Sequence, residues 1–388
     1  MSVNLMNADG ALKSAYLDVV VDHLNNNVNP FFAAIEHSTA DVVGKEVKKL
    51  VINGLCGGVG AGSENGALPL ARGNKYTQFV APLKNLYGVI EISDKALRVS
   101  ENNAGAFVNL LNTEMQGLLS ASKANLGRML FGDGSGCLSQ IALVDGDKLM
   151  LNSINTCMVG MCVDIVKSNG EYMENYRGAR IVNVDYINAS ITIDMPHIEE
   201  LTGCYLYTHN AKDSELTGLD AIFDTKRTSL YGVDKSLPFM QPTRRNVSVG
   251  ITEEDIQEAL DDIERNSGRA PNMIICTWGV RRKLMNMFYG YNRPLPIMEL
   301  AGGFKAISYN GIPIVVDRNC PCETMYLLNT NDFVLHQLCD WEWLSGEDGK
   351  ILKQIPGKPV YTATLVKYAE LICNQPNGQG IITGIAEN

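Results

Sequence analysis

The chain has 388 residues, of which 45% are hydrophobic and 20% charged, and its formal net charge is −10. These values describe an ordinary globular protein with room for two or three structural units, each with its own core, and they exclude a disordered chain. No basic cluster is longer than Arg244-Arg245 or Arg281-Arg282-Lys283, so the acidic balance argues against a surface that grips phosphates. The start, Met1-Ser2-Val3-Asn4-Leu5, lacks the charged and apolar regions of a secretory signal. No apolar run reaches the ~18–20 residues that would span a membrane. The expectation is a protein made and kept in a cytoplasm, in which ten scattered cysteines serve as small apolar packing residues.

Residues 11–50 carry helical periodicity in two segments. Leu12, Tyr16, Val19, Val20 and His23-Leu24 share one face, and Phe31, Phe32 and Ile35 begin a second after Asn29-Pro30. From Gly44 the pattern turns extended through Val47, Leu50, Val51-Ile52 and Leu55. A Gly-rich run follows, Cys56 to Gly66, too rich in glycine for helix and too polar for core. It is not a phosphate loop: Gly62 is followed by Ser63-Glu64, without the lysine that would reach a phosphate. Nor does it open a helix as a dinucleotide fingerprint should, because Gly66, Pro69 and Gly73 follow. It reads as a pliable loop tip. The chain returns as strand through Lys75–Val80, is interrupted at Pro82, and resumes as strand from Leu86 to Ile92.

After Ser100, the residues Phe107, Leu111, Met115, Leu118, Ser122, Leu126 and Met129 recur at helical spacing. They predict one helix of about 30 residues, roughly 45 Å long, stopped by Gly132 and Gly134. Residues 140–210 read as short strands, with alternation in 162–166, 180–184 and 190–194 and turns at Asn169-Gly170 and Ile187-Asn188-Ala189. Residues 215–330 read as α/β. Thr252 to Asp255 resembles a capping box ahead of an apolar face of Ile256, Ala259, Leu260 and Ile263. A buried strand at 273–276 leads into a helix with Val280, Leu284 and Phe288. Asn310-Gly311 turns a hairpin between 304–309 and 312–316, and 324–328 adds another strand. Strands are predicted at 333–345, 350–356, 359–373 and 381–385.

No active site emerges. The five histidines (23, 37, 197, 209, 336) form no metal-binding pair, and Cys320-Pro321-Cys322 has no second Cys/His pair at zinc spacing. No Gly-x-Ser-x-Gly elbow is present. Glu253-Glu254 and Asp261-Asp262 read as solvated charge. Trp341 and Trp343 point to one face and read as packing residues. No catalytic residue, cofactor or metal is expected.

With these parts in order, the chain resembles the major capsid proteins of tailed bacteriophages with the Hong Kong 97 fold, a fold shared with encapsulins. The resemblance covers nearly the whole chain and rests on layout and on phrases: Met129-Leu130-Phe131-Gly132-Asp133-Gly134, Asn310-Gly311-Ile312-Pro313-Ile314-Val315-Val316-Asp317 and Trp341-Glu342-Trp343-Leu344. It implies an α+β subunit with an N-terminal arm (1–44), an extended loop (45–93), a peripheral domain with its spine helix (94–139) and an inserted β-rich domain (140–214). An axial domain (215–331), the peripheral β-sheet (332–374) and a return to the axial domain (375–388) complete it.

In such a subunit the loop residues Gly57, Gly58, Gly60, Gly62, Lys75, Tyr76 and Phe79 would touch a neighbour, and Phe107, Leu111, Met115, Leu118, Leu126 and Met129 would form the core of the spine. An apolar face of Val47, Val51, Phe79 and Val89 would bury across that neighbour. Some members carry a removable scaffolding segment of about a hundred residues; this chain begins directly in its arm, which implies a separate scaffold or none. Some members also link subunits by Lys–Asn bonds, but no residue pattern here assigns that chemistry to Lys75.

The implied function is a structural, non-enzymatic subunit of an icosahedral phage head. It would self-assemble into pentamers and hexamers around double-stranded DNA that it does not read by sequence. Its implied partners are itself, scaffolding and portal proteins and decoration proteins, with no membrane; its place is the virion capsid, assembled in the bacterial cytoplasm. An encapsulin-like compartment is the second reading and a cytoplasmic metabolic enzyme a remote third.

Overall fold

The structure is a computed structural model and describes residues 29–54, 56–95, 104–195, 200–248, 250–290, 297–299, 305–346, 349 and 351–387. The first predicted helical segment, with Leu12, Tyr16, Val19, Val20, His23 and Leu24, lies outside the described residues. The second is real but short: α1 is Pro30–Ala34, capped by Asn29, whose Oδ1 accepts from Phe32 N at 2.6 Å. Phe31 and Phe32 are fully buried.

Three short or extended strands follow, β1 (Glu36–Ser38), β2 (Val42–Val43) and β3 (Glu46–Gly54), then β4 (Lys75–Pro82) and β5 (Lys84–Ser93). Helix α2 runs Ala104–Phe131, 28 residues and so about 42 Å, and stops at Gly132 as expected. Six strands come next: β6 (Cys137–Asp145), β7 (Lys148–Leu151), β8 (Cys162–Val166), β9 (Ala179–Asp185), β10 (Ser190–Ile193) and β11 (Tyr205–Thr208). The short α3 (Leu219–Phe223), a small hairpin of β12 (Ser229–Leu230) and β13 (Val233–Asp234), and β14 (Thr243–Asn246) lead to α4 (Glu253–Ser267). The capping box at α4 is present: Thr252 Oγ1 accepts from Asp255 N at 3.2 Å, and the Asp255 carboxylate accepts from Thr252 N at 2.9 Å.

The remainder is β15 (Met273–Cys276), α5 (Trp278–Gly290), β16 (Ile297–Glu299), β17 (Lys305–Tyr309), β18 (Ile312–Val316) and β19 (Thr324–Leu328). β20 (Phe333–Trp343), β21 (Lys353–Gln354), β22 (Val360–Cys373) and β23 (Gly380–Thr383) complete it. The strand expected at 350–356 shrinks to β21. Ile351 and Leu352, just ahead of it, are both buried in the main core without joining a ladder.

Two large sheets and a barrel hold most of these strands. A five-stranded sheet joins β1, β20, β22 and β21, with β5 pairing β22 antiparallel along its whole length, Lys84↔Ala369 to Ser93↔Val360. A seven-stranded mixed sheet has the order β14-β23-β19-β15-β18-β17-β16, and β6 to β11 close into a six-stranded antiparallel barrel. Strand β15 shows how the main core is shared. Met273 and Ile275 point into the cluster that also holds Phe333, Leu335 and Leu371 from the five-stranded sheet. Ile274 and Cys276 point the other way, onto α4 and α5 through Ile256, Ile263, Val280 and Leu284. A four-residue strand buried on both faces is what a continuous apolar run encodes. The barrel has a separate core of its own, including Ile141, Val163, Ile181, Ile191 and Leu206.

The barrel is mounted on the C-terminal end of α2 through a stem that is locked, not hinged. Arg128 and Glu215, each 3% exposed, form a two-pronged ion pair across the stem, with Arg128 Nη1 donating to Glu215 Oε2 at 2.8 Å. Thr217 N donates to the fully buried Glu370 at 2.8 Å, and Lys84 Nζ donates to Asp213 O at 3.0 Å. At Gly218 the backbone passes so close to the end of α2 that a Cβ would lie under 3.0 Å from the carbonyl oxygens of Met129, Leu130 and Gly132. No other residue fits there without displacement.

Candidate subunit interface

The Gly-tipped excursion is a hairpin. β3 and β4 pair antiparallel from Glu46↔Pro82 to Gly54↔Lys75, with β2 added at the base. Period-two alternation gives the hairpin two different faces. One face is anchored: Val47, Phe79 and Ala81 enter the main core, Phe79 lies 5.5 Å from the Tyr231 ring, and Val80 N donates to Tyr231 O at 2.9 Å. Phe79 is therefore no contact for a neighbour. Its ring is completely buried in its own chain, because Tyr231 takes the side the neighbour was expected to take. The same holds for Val47, and Val51 is partly buried against the core.

The outward face carries Leu50, Ile52 and Tyr76, which are 62%, 61% and 52% exposed. Ile52 and Tyr76 are directly paired across the ladder, and Leu50 is two residues along. The expected contact set did not include Leu50 and Ile52, although the alternation of Lys48, Leu50 and Ile52 against Val47, Lys49 and Val51 contains the signal. What it lacks is a statement of which face the rest of the chain covers. Val89 is exposed, but on β5, inside the five-stranded sheet.

Beyond the ladder, residues 56–74 continue as a folded-back ribbon. Cys56 Sγ donates to Arg72 O at 2.6 Å, and Gly66 N donates to Ser63 O at 3.0 Å to make the turn. The glycines are close-approach positions: a Cβ on Gly58 would meet Arg72 N at 3.3 Å, and one on Gly60 the Pro69 ring at 3.2 Å. A Cβ on Gly57 would meet the Arg72 side chain at 3.3 Å, whereas Gly62 faces Ala67 O at an ordinary contact distance of 3.6 Å. Val59, Leu68 and Leu70 stand out from this ribbon almost fully exposed, and Lys75 is exposed where ribbon becomes ladder. Six large apolar side chains on one thin projection, unburied by their own chain, form the kind of patch that marks an interaction surface.

Helix α2 supports the base of this projection. Leu126 and Met129 are buried in the main core, and Leu118 packs partly buried against Gly88 of β5. Phe107, Leu111 and Met115 lie outside the described side chains. Among the described residues, no group of three or more His, Cys, Asp or Glu is placed to hold a metal ion. His336 is buried beneath the β1–β2 turn with Nδ1 at 2.9 Å from Ala40 O, and burial lowers its pKa. Trp341 and Trp343 are both buried, with Glu342 exposed between them, which is the packing arrangement their spacing predicts. No described helix is long and apolar enough to cross a membrane.

No protein-family model matches the chain, and no curated protein matches its sequence. Solved structures do. The capsid of cyanophage A-1(L) superposes with a TM-score of 0.56 at 11% identity, covering 93% of this chain and 94% of that chain. The capsid of a native GTA particle gives a TM-score of 0.50 at 10% identity, covering 93% and 91%. The SrpI encapsulin of Synechococcus elongatus PCC 7942 gives 0.49 at 10% identity, covering 93% and 90%. At such identities the likeness defines the fold: this chain has the α+β capsid-subunit fold that the order of its parts resembles, over 93% of its length.

Proposed function

We propose that this protein is the structural subunit of an icosahedral phage head, self-assembling into pentamers and hexamers that enclose double-stranded DNA. The observation that carries the reading is the projecting hairpin, anchored by Val47 and Phe79 on one face and apolar and uncovered on the other, on a fold whose solved counterpart is a phage capsid. Closed shells need heterologous contacts that repeat around five- and six-fold rings, and a clasp that reaches over the next subunit supplies them. In this reading residues 46–82 are the extended loop and α2 the spine. The five-stranded sheet is peripheral, the seven-stranded sheet axial and the barrel an insertion. Gly57, Gly58, Gly60, Gly62, Lys75 and Tyr76 remain contact residues, with Leu50, Ile52, Leu68 and Leu70 added and Phe79 removed.

The role is structural and needs no cofactor. The net charge of −10 suits a container wall, because each phosphate gripped would slow the spooling of DNA. Scaffolding, portal and decoration proteins are the further partners of this reading, and the virion, assembled in a bacterial cytoplasm, its location. Electron microscopy of the purified protein tests it. Closed shells with five-fold vertices are expected, and small discrete particles under every assembly condition would sink the proposal. Shells that carry an enzyme and no DNA would instead mark a compartment of the encapsulin kind.

A further inference from the structure

Exposed apolar side chains gather at a second place, on the barrel. Val182 on β9, Tyr186 and Ile187 in the turn after it, and Val159 in the loop between β7 and β8 are all more than half exposed, with Ile187 94% exposed. Backbone hydrogen bonds hold these four together. Gly160 N donates to Ile181 O at 2.8 Å and Ile181 N to Met161 O at 2.9 Å, which lays the 157–161 loop along β9 and sets Val159 beside Val182. Tyr186 Oη donates to Cys157 O at 3.2 Å and ties the start of that loop to the turn, where Asp185 Oδ1 accepts from Ile187 N at 3.1 Å. The pairing of β9 with β10 shifts register between Asn183↔Thr192 and Ile181↔Ile193, so Val182 is the extra residue of a bulge and stands outside the ladder.

This patch and the outward face of the hairpin are both left open by their own chain, so they do not meet within one subunit. Their charges are opposite. From Lys45 to Pro82 the chain has five bases and two acids, whereas from Cys137 to Thr208 it has four bases and nine acids. On the hairpin, Arg72 and Lys75 are exposed close to Tyr76. On the barrel, carboxylates flank the patch at both ends: Asp185 adjoins Tyr186, and Asp194 accepts from Arg180 N at 2.8 Å, two residues from Val182. Arg180 and Lys148 are the bases nearby. A rival apolar surface, Tyr87 and Val89 on β5, lacks this match, because Lys84 and Glu91 leave that strand with no excess of either sign.

From this complementarity we infer that the outward face of the hairpin docks on the β9 patch of the barrel in a second copy of this chain, with Leu50, Ile52 and Tyr76 against Val159, Val182, Tyr186 and Ile187. The inference rests on the shell reading above and names the surface that the hairpin clasps. Two different patches of one chain that fit each other make a heterologous contact, which repeats head to tail and closes into rings. Apolar burial supplies the affinity, and opposite charge speeds the encounter and fixes its orientation. The locked Arg128–Glu215 stem holds the docking surface at a fixed angle to the rest of the subunit.

Two triple variants of the full chain test this, Leu50→Ser/Ile52→Ser/Tyr76→Ser in the hairpin and Val159→Ser/Val182→Ser/Ile187→Ser in the barrel. All six positions are exposed, so both variants should keep nearly the wild-type melting temperature. Alone, each should sediment as a monomer. Mixed in equal amounts they should form a dimer and stop there, because the barrel variant offers an intact hairpin, the hairpin variant an intact patch, and the reverse contact is missing. Arg72→Glu/Lys75→Glu should assemble about tenfold more slowly than wild type at low salt and at the wild-type rate in about 1 M salt. Normal shells from the barrel variant, a mixture that stays monomeric, or an assembly rate untouched by the charge reversal overturns the inference. So does a reconstruction with the hairpin seated on Tyr87 and Val89 of the next subunit. Each of those results leaves the shell reading standing, whereas wild-type protein that forms no shell defeats the shell reading itself.

Discussion

At the scale of single residues, the stem between α2 and the barrel concentrates the strongest constraints. Gly218 tolerates no Cβ, since three carbonyl oxygens of the α2 terminus would lie under 3.0 Å from it. Gly218→Ala should lower stability by on the order of 3 kcal/mol, read as the denaturation midpoint of the unassembled subunit; a wild-type midpoint would contradict the packing described. Glu370, beside the stem, is wholly buried, and desolvation pushes its carboxyl from 4.5 to about 7 against the hydrogen bond from Thr217. Between those values the folded chain holds a proton that the unfolded chain has released, so stability falls as pH rises through that window. Asp220, pushed up to about 6 by burial, acts in the same direction. Melting temperature should therefore decline from pH 5 toward pH 8, and Glu370→Gln should flatten part of the decline. An unaltered slope in that variant would remove Glu370 from the account.

At the scale of elements, the hairpin of residues 46–82 separates folding from assembly. Its anchored face belongs to the main core and its outward face to nothing in the chain. Replacing Leu50, Ile52 and Tyr76 together by Ser, or deleting residues 57–74, should leave a folded protomer with nearly unchanged melting temperature that assembles poorly. Intact shells from either variant, measured by sedimentation, would remove the hairpin from the interface. The existence of this hairpin was legible in the sequence, through alternation on both arms and a Gly-rich tip. Its buried face was not: Phe79 is covered by Tyr231, about 150 residues further along, and no local pattern states that pairing. The same limit applies elsewhere. The strands at 162–166 and 190–193 were legible, but closure of six strands into a barrel is a non-local fact. The run at 350–356 read as strand from its apolar residues, but Ile351 and Leu352 are buried in the main core ahead of β21, a tertiary contact that no local pattern states.

At the scale of the whole molecule, one large core ties the five-stranded and seven-stranded sheets together, while the barrel keeps a core of its own on a rigid stem. Among the described residues the hairpin of residues 46–82 and its ribbon carry the exposed apolar face, which is what a subunit that clasps its neighbour in a repeated assembly requires. The Gly-rich tip, which in sequence invites a nucleotide-loop reading, is in structure a ribbon whose glycines let two backbones pass closely. A cryo-electron-microscopy reconstruction of the assembled protein tests the central claim most directly. The account predicts five- and six-fold rings in which Leu50, Ile52 and Tyr76 of one protomer lie buried on the next. Particles without such rings, or rings in which that face remains open to solvent, would contradict it.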